Sequence, residues 1–164
     1  MAGFDWIIID GNNLIHSGRE RYFDRAGFDF PGARRQLVAL LDELSGELAS
    51  RLTVVFDGTI GGRDESLRAE GPEVLFSPQD LTADSVIERM VAGAGDPGKI
   101  LVVTSDRAEI QTVTVAGGQV MSCKSFLDLI DETQQTLKRR LANQSKSGPR
   151  ATLGDFFPGR PSRT

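Results

Sequence analysis

The sequence predicts an α/β domain built on a mostly parallel sheet, and two patterns carry that reading. Short apolar runs rich in β-branched residues alternate with segments of helical periodicity. Three of those runs end in the same way, at Asp10, Asp57 and Asp106. A run such as Trp6-Ile7-Ile8-Ile9 suits a central strand covered on both faces. It delivers Asp10 to the carboxyl edge of the sheet, where open α/β folds bind their ligands.

The elements follow in order. After the first strand, Gly11-Asn12-Asn13 reads as a turn, and residues 17–31 read as an ordered loop. Pro31 suits the first turn of a helix. Over residues 33–52, Leu37, Leu40, Leu41, Leu44 and Leu48 recur at helical spacing. Arg34 and Arg35 belong to the exposed side of that helix. Thr53-Val54-Val55-Phe56 is a second strand, and 59–72 is a loop rich in Gly, Arg and acids. Glu73-Val74-Leu75-Phe76 is a third strand, stopped by Ser77-Pro78. A helix over 82–91 places Ala83, Val86, Ile87 and Met90 on one side. The fourth strand, Ile100-Leu101-Val102-Val103, leads into Thr104-Ser105-Asp106 and a helix over 107–116. Gly117-Gly118 turns the chain into a fifth strand at 119–122, and a last helix covers 125–141.

Composition narrows the class. The chain has 164 residues and a formal net charge of -4, so it is one domain without the overall basicity of a nucleic-acid glue. Residues 146–164 reverse the sign, with Lys146, Arg150, Arg160 and Arg163 against Asp155 alone. We expect a domain over 1–142 and a basic tail over 143–164. One cysteine, Cys123, excludes a disulfide framework and a thiolate metal site. No segment approaches the roughly 20 apolar residues that span a bilayer, and the start lacks a signal peptide's basic region. The expectation is a cytoplasmic protein with no membrane partner.

The acids carry the chemistry. The ends of parallel strands one, two and four lie on one edge, so Asp10, Asp57 and Asp106 can converge. Asp84 sits in the first turn of the helix that faces this edge, with Thr82 as its cap, and Glu88 follows one turn later. Clustered carboxylates repel unless a cation joins them. Oxygen donors without His or Cys suit Mg²⁺ or Mn²⁺, which can activate water for phosphodiester hydrolysis. A single Asp after a strand is most often a turn former or cap; several at one edge argue for a site.

Asp10-Gly11-Asn12-Asn13-Leu14-Ile15, Val55-Phe56-Asp57-Gly58, Thr82-Ala83-Asp84-Ser85-Val86-Ile87-Glu88 and Val103-Thr104-Ser105-Asp106 stand in the order of the YacP-like NYN domains, members of the PIN-like nuclease superfamily. Gly117 to Ser122 and Phe126 also resemble that family, and the likeness covers residues 4–131. The resemblance implies a PIN-like three-layer sandwich with a central, mostly parallel five-stranded sheet. It implies a metal-dependent ribonuclease, with Asp10, Asp84 and Asp106 as catalytic and metal-binding acids and Mg²⁺ or Mn²⁺ as cofactor. Asn13 and Ser105 become polar helpers, and Asp57 and Glu88 supplementary acids. The family often has Tyr where Asn12 stands.

RNA is the expected partner. Arg19, Arg21 and Arg25, interleaved with Tyr22, Phe23 and Phe28, pair guanidinium groups for phosphate with rings for unstacked bases. Arg63 and Arg68 could flank the same edge. The alternative is a non-catalytic RNA-binding or ribosome-associated module on the same fold. A small-molecule phosphatase is disfavoured, since no phosphate cradle or nucleophile motif is present. Gly93-x-Gly95-x-x-Gly98 spells a dinucleotide fingerprint, but it follows a helix and precedes a strand, the reverse of the required order. His16, the sole histidine, leaves little room for a hydrolytic triad.

Overall fold

The computed structural model describes residues 4–23, 27–58, 64, 67 and 69–147. Its strands are β1 (Trp6–Asp10), β2 (Arg51–Phe56), β3 (Glu73–Phe76), β4 (Ile100–Val103) and β5 (Gln119–Met121). Its α-helices are α1 (Gly11–Gly18), α2 (Phe30–Leu48), α3 (Ala83–Ala92), α4 (Arg107–Val115) and α5 (Cys123–Ser147). A π-helical segment, Arg19–Phe23, follows α1, and a 3₁₀ turn, Pro97–Lys99, precedes β4. By backbone proximity the chain divides into residues 1–133, which hold the sheet, and residues 134–164.

All neighbouring strands pair in parallel, in the order β3-β2-β1-β4-β5. The predicted α/β class and five-stranded sheet are therefore found. Central β1 is apolar because it is covered on both faces: Ile7, Ile8 and Ile9 are each 0% exposed. Full burial of one such side chain contributes about 1.5–3 kcal/mol. Below one face, Ile8, Val55 and Val102 pack with Ile87 and Val91 of α3 and Val113 of α4. From β1 the chain passes to β2 on one side; from β3 it crosses to β4 on the other. The order reverses between β1 and β4, and at their carboxyl ends this opens a crevice.

Two segments differ from the expectation. Gly11-Asn12-Asn13 is the first turn of α1, not a free turn. Asp10 caps it, its Oδ1 accepting a hydrogen bond from Asn13 N at 3.1 Å. Burial of Leu14 and Ile15 outweighs the poor helix propensity of the Gly and Asn residues. The expected loop after it begins as the π-helical segment, which Phe23 anchors in the core. Arg34 is the other correction. It is buried, not exposed, with its guanidinium 5.9 Å and 5.5 Å from the ring centroids of Phe56 and Phe76. The ring faces and the charge of Asp64 accommodate it, although burial still lowers its pKa. Arg35 is exposed as expected. Among the described residues no helix is long and apolar enough to cross a membrane.

Candidate metal centre

The crevice between β1 and β4 collects the acids. Asp10 closes β1 and is 8% exposed. Register pairs Ile9 with Val103, so the residues just beyond β4 lie beside Asp10. Asp106 caps α4, its Oδ1 accepting from Glu109 N at 3.0 Å, while its own N–H donates to Thr104 Oγ1 at 3.1 Å. Asp84 occupies the first turn of α3, whose cap is Thr82. The carboxylates of Asp84 and Asp106 are exposed, and both act on Asp10. Burial raises the pKa of Asp10, and their charges add to that rise; contacts to Glu109 and Asn13 N partly offset it.

The structure adds an acid that the sequence reading missed. Glu109, at the start of α4, is 1% exposed and turns inward. Its Oε2 accepts a 2.7 Å hydrogen bond from Thr104 Oγ1, and the side chain's other hydrogen-bond partner is the Asp10 carboxyl. Burial, and next the charge of Asp10, push its pKa up to about 9. At neutral pH the two facing carboxyls therefore retain a proton between them. A sequence signal existed in Asp106-x-x-Glu109, which has the spacing of a helix capping box. Here the glutamate leaves the cap, and Thr104 takes over the Asp106 N–H.

Around this pair, polar residues lock the turns together. Asn13 Oδ1 accepts from Ser105 N at 2.8 Å and from Cys123 Sγ at 3.2 Å, and Cys123 N donates to Ser105 Oγ at 3.0 Å. Burial pushes the Cys123 thiol up, so it behaves as a neutral donor. Asn12 is also buried, and its Oδ1 accepts from Asp57 N at 3.0 Å. The asparagine thus ties α1 to the end of β2. Gly11 has a packing role as well, since a Cβ there would lie 2.4 Å from Phe56 Cε1.

The other predicted residues are spread more widely. Asp57 stands in the turn after β2, with Ser77 Oγ donating to its Oδ1 at 3.5 Å. Glu88 is exposed on α3. Neither is among the charges that act on Asp10 or Glu109. Arg19 lies 4.1 Å over the Phe28 ring, and Phe28 meets Phe30 edge-on, as Phe30 meets His16. Arg21 instead forms ion pairs with Asp128 and Asp131, and Tyr22 donates to Asp131. These bonds fasten the π-helical segment to α5. Arg25, Arg63 and Arg68 lie outside the described residues, as do residues 148–164 of the basic tail. The Gly93–Gly98 stretch leads into the start of β4, at the opposite sheet edge.

Among the described residues no three His, Cys, Asp or Glu side chains are drawn into a ready ligand cage. The donor chemistry nonetheless fits a hard divalent cation. The donors are all oxygens, and the burial of Asp10 leaves its carboxylate short of compensating charge. Asp10 and Glu109 are buried side by side, two carboxyls with one shared proton.

A parallel sheet with acids at its switch point places the chain in the nuclease-like NYN class. The family model of the YacP-like NYN domain matches residues 7–156, and the chain belongs to that family. The fold is similar to the crystal structure of Rae1 (YacP) from Bacillus subtilis, at 24% sequence identity and a TM-score of 0.73, covering 87% of this chain and 83% of that one. A mutant form of the same Bacillus subtilis protein gives 24% identity and a TM-score of 0.72, over 89% of this chain and 87% of that one. At this identity the likeness is one of fold. No curated protein matches the chain significantly.

Proposed function

We propose that this domain is a metal-dependent ribonuclease that hydrolyses RNA phosphodiester bonds within the chain. The observation that supports it most is the charge arrangement at the crevice. Among the described residues, no lysine or arginine is one of the groups acting on the buried Asp10–Glu109 pair, which has Asp84 and Asp106 beside it. In this reading Asp10, Asp84 and Asp106 hold Mg²⁺ or Mn²⁺. Such an ion supplies Lewis acidity and lowers the pKa of bound water. Asn13 fixes Ser105 and so holds the turn that presents Asp106. Arg19 and the rings beside it offer a surface for phosphate and unpaired bases. The cell compartment that suits an RNA substrate is the cytoplasm.

The test is RNA cleavage in Mn²⁺ or Mg²⁺, against EDTA, by the wild type and Asp10→Asn. Asparagine also caps helices, so the fold is kept. Activity should fall by more than the roughly 10–100-fold typical of a change outside the ligand shell. Unchanged cleavage by this variant would sink the assignment. A circular RNA, which has no ends, reports internal cleavage directly. A second reading, an RNA-binding or ribosome-associated module without turnover, is favoured by the lack of a preformed ligand cage among the described residues. RNA binding with no cleavage in Mn²⁺ would establish it.

A further inference from the structure

We propose that a cleft at the amino edge of the sheet, opposite the acid crevice, binds a ribonucleoside monophosphate. It shares no residue with the metal centre, so the inference stands whether or not that reading holds. Helix α3 opens at the crevice with Asp84 in its first turn and ends at the other edge with Ala92. There β1, β2 and β4 begin, with Trp6 in register with Arg51 on one side and with Ile100 on the other. Between these strand starts and the end of α3 lies a cleft of about 550 Å³, a volume that suits a small ligand. Gly93 to Asp96, part of the glycine-rich stretch that no other role absorbs, form one of its walls.

The lining matches the parts of such a ligand. Arg89 and Lys99 are exposed, and among the described residues neither side chain has a hydrogen bond or an ion pair. Arg51, the third cation of the cleft, is already committed to Glu73 at 2.6 Å. Two uncommitted cations suit a phosphate, which has oxygens for both. Trp6, Met90 and Ala94 supply an apolar surface for a base. The indole is fixed before any ligand arrives: its Nε1 donates to Thr53 Oγ1 at 2.8 Å, and the Arg51 guanidinium lies 3.7 Å from the ring centroid. Asp5 and Asp96 also line the cleft. Their carboxylates accept from ribose hydroxyls or a base amine, and they repel a bare polyanion such as pyrophosphate. Gly95 points the same way. Its φ is not positive, and a Cβ there would meet nothing within 4 Å. Neither packing nor backbone geometry asks for glycine at this position, whereas a ligand lying against the loop does.

Trp6 is the protein's single tryptophan, so its fluorescence reports on this cleft directly. The experiment titrates the full-length protein with AMP in EDTA, which removes any metal chemistry from the readout. AMP should give a saturable change, and adenosine, which lacks the phosphate, should bind about tenfold more weakly or worse. Arg89→Ala and Lys99→Ala remove exposed side chains without partners, and each should weaken AMP binding by about tenfold or more. Gly95→Leu fills the open space beside the loop and should abolish the change while keeping the wild-type melting temperature. A short oligoadenylate identifies the source of the nucleotide. Saturation by AMP assigns a free ligand; saturation by the oligomer alone assigns one unit of an RNA strand. No saturable change from either probe overturns the inference. Equal affinity for AMP and adenosine does so too, as does wild-type affinity in Gly95→Leu or in both cation variants.

Discussion

Replacing Glu109 with Gln should change how stability depends on pH, even with no metal present. The glutamate has an ordinary pKa of 4.5, raised to about 9 in the folded protein. A raised carboxyl keeps in the native state a proton that the unfolded chain releases. Its stabilising contribution is complete below the unfolded value, and it declines as pH climbs toward the folded one. One such proton corresponds to a slope of about 1.4 kcal/mol per pH unit. Between pH 6 and 8 the wild type should therefore lose up to about 3 kcal/mol relative to Glu109→Gln, whose amide does not titrate. Asp10 shares the proton, so the difference between the two proteins measures the pair. Urea unfolding in EDTA, at steps from pH 5 to 9, supplies the curves, with the slope m checked for constancy. Parallel curves for the two proteins would refute the argument. They would mean that the carboxyl is solvated, or ionised alongside Asp10 at no cost.

Two further outcomes are expected. Gly11→Ala should destabilise the fold by about 1–3 kcal/mol, because its Cβ would press on the fully buried Phe56 ring and the central sheet leaves little room to relax. Thermal unfolding reads this as roughly 2–4 °C per kcal/mol for a chain of this size, and a wild-type melting temperature would show that the junction has slack. Phe28→Ala should weaken binding of single-stranded RNA by about 1–3 kcal/mol if the Arg19–Phe28 stack receives a base. Filter binding in EDTA measures this without cleavage, and equal affinity for the variant would remove that surface from the substrate path.

The sheet was legible because buried parallel strands leave an apolar run that little else imitates: Ile7-Ile8-Ile9 and Leu101-Val102-Val103 are such runs. The acids at their ends were legible for the same reason, since the end of the run fixes where Asp10 and Asp106 emerge. Helix α1 was not. Gly11-Asn12-Asn13 carries turn chemistry, and only tertiary contacts reveal it as helix: Phe56 against Gly11 and Asp57 N against Asn12. Arg34 and Glu109 escaped for a shared physical reason. A charged residue is placed on a solvated face by default. What brings these two inside is a partner far along the chain, the rings of Phe56 and Phe76 for one and Asp10 for the other. Arg21 likewise reads as a phosphate ligand until Asp128 and Asp131 are seen beside it. Asn12 stood as a departure from the family pattern, and its hydrogen bond to Asp57 N gives it a structural role.

The capping bonds of Asp10 and Asp106 bear on how relatives of this chain should be compared. Each of these side chains opens a helix, α1 and α4 respectively, through an oxygen that would be needed whether or not any reaction took place. A chain without catalysis would still be under pressure to keep a capping side chain at both positions, a role that Asn, Ser or Thr also fills. Asp84 has no such second employment, because Thr82 already caps α3 and the Asp84 carboxylate is exposed. Under the proposed function, a carboxylate at position 84 therefore serves the metal centre alone, whereas the side chains at 10 and 106 serve the helices as well.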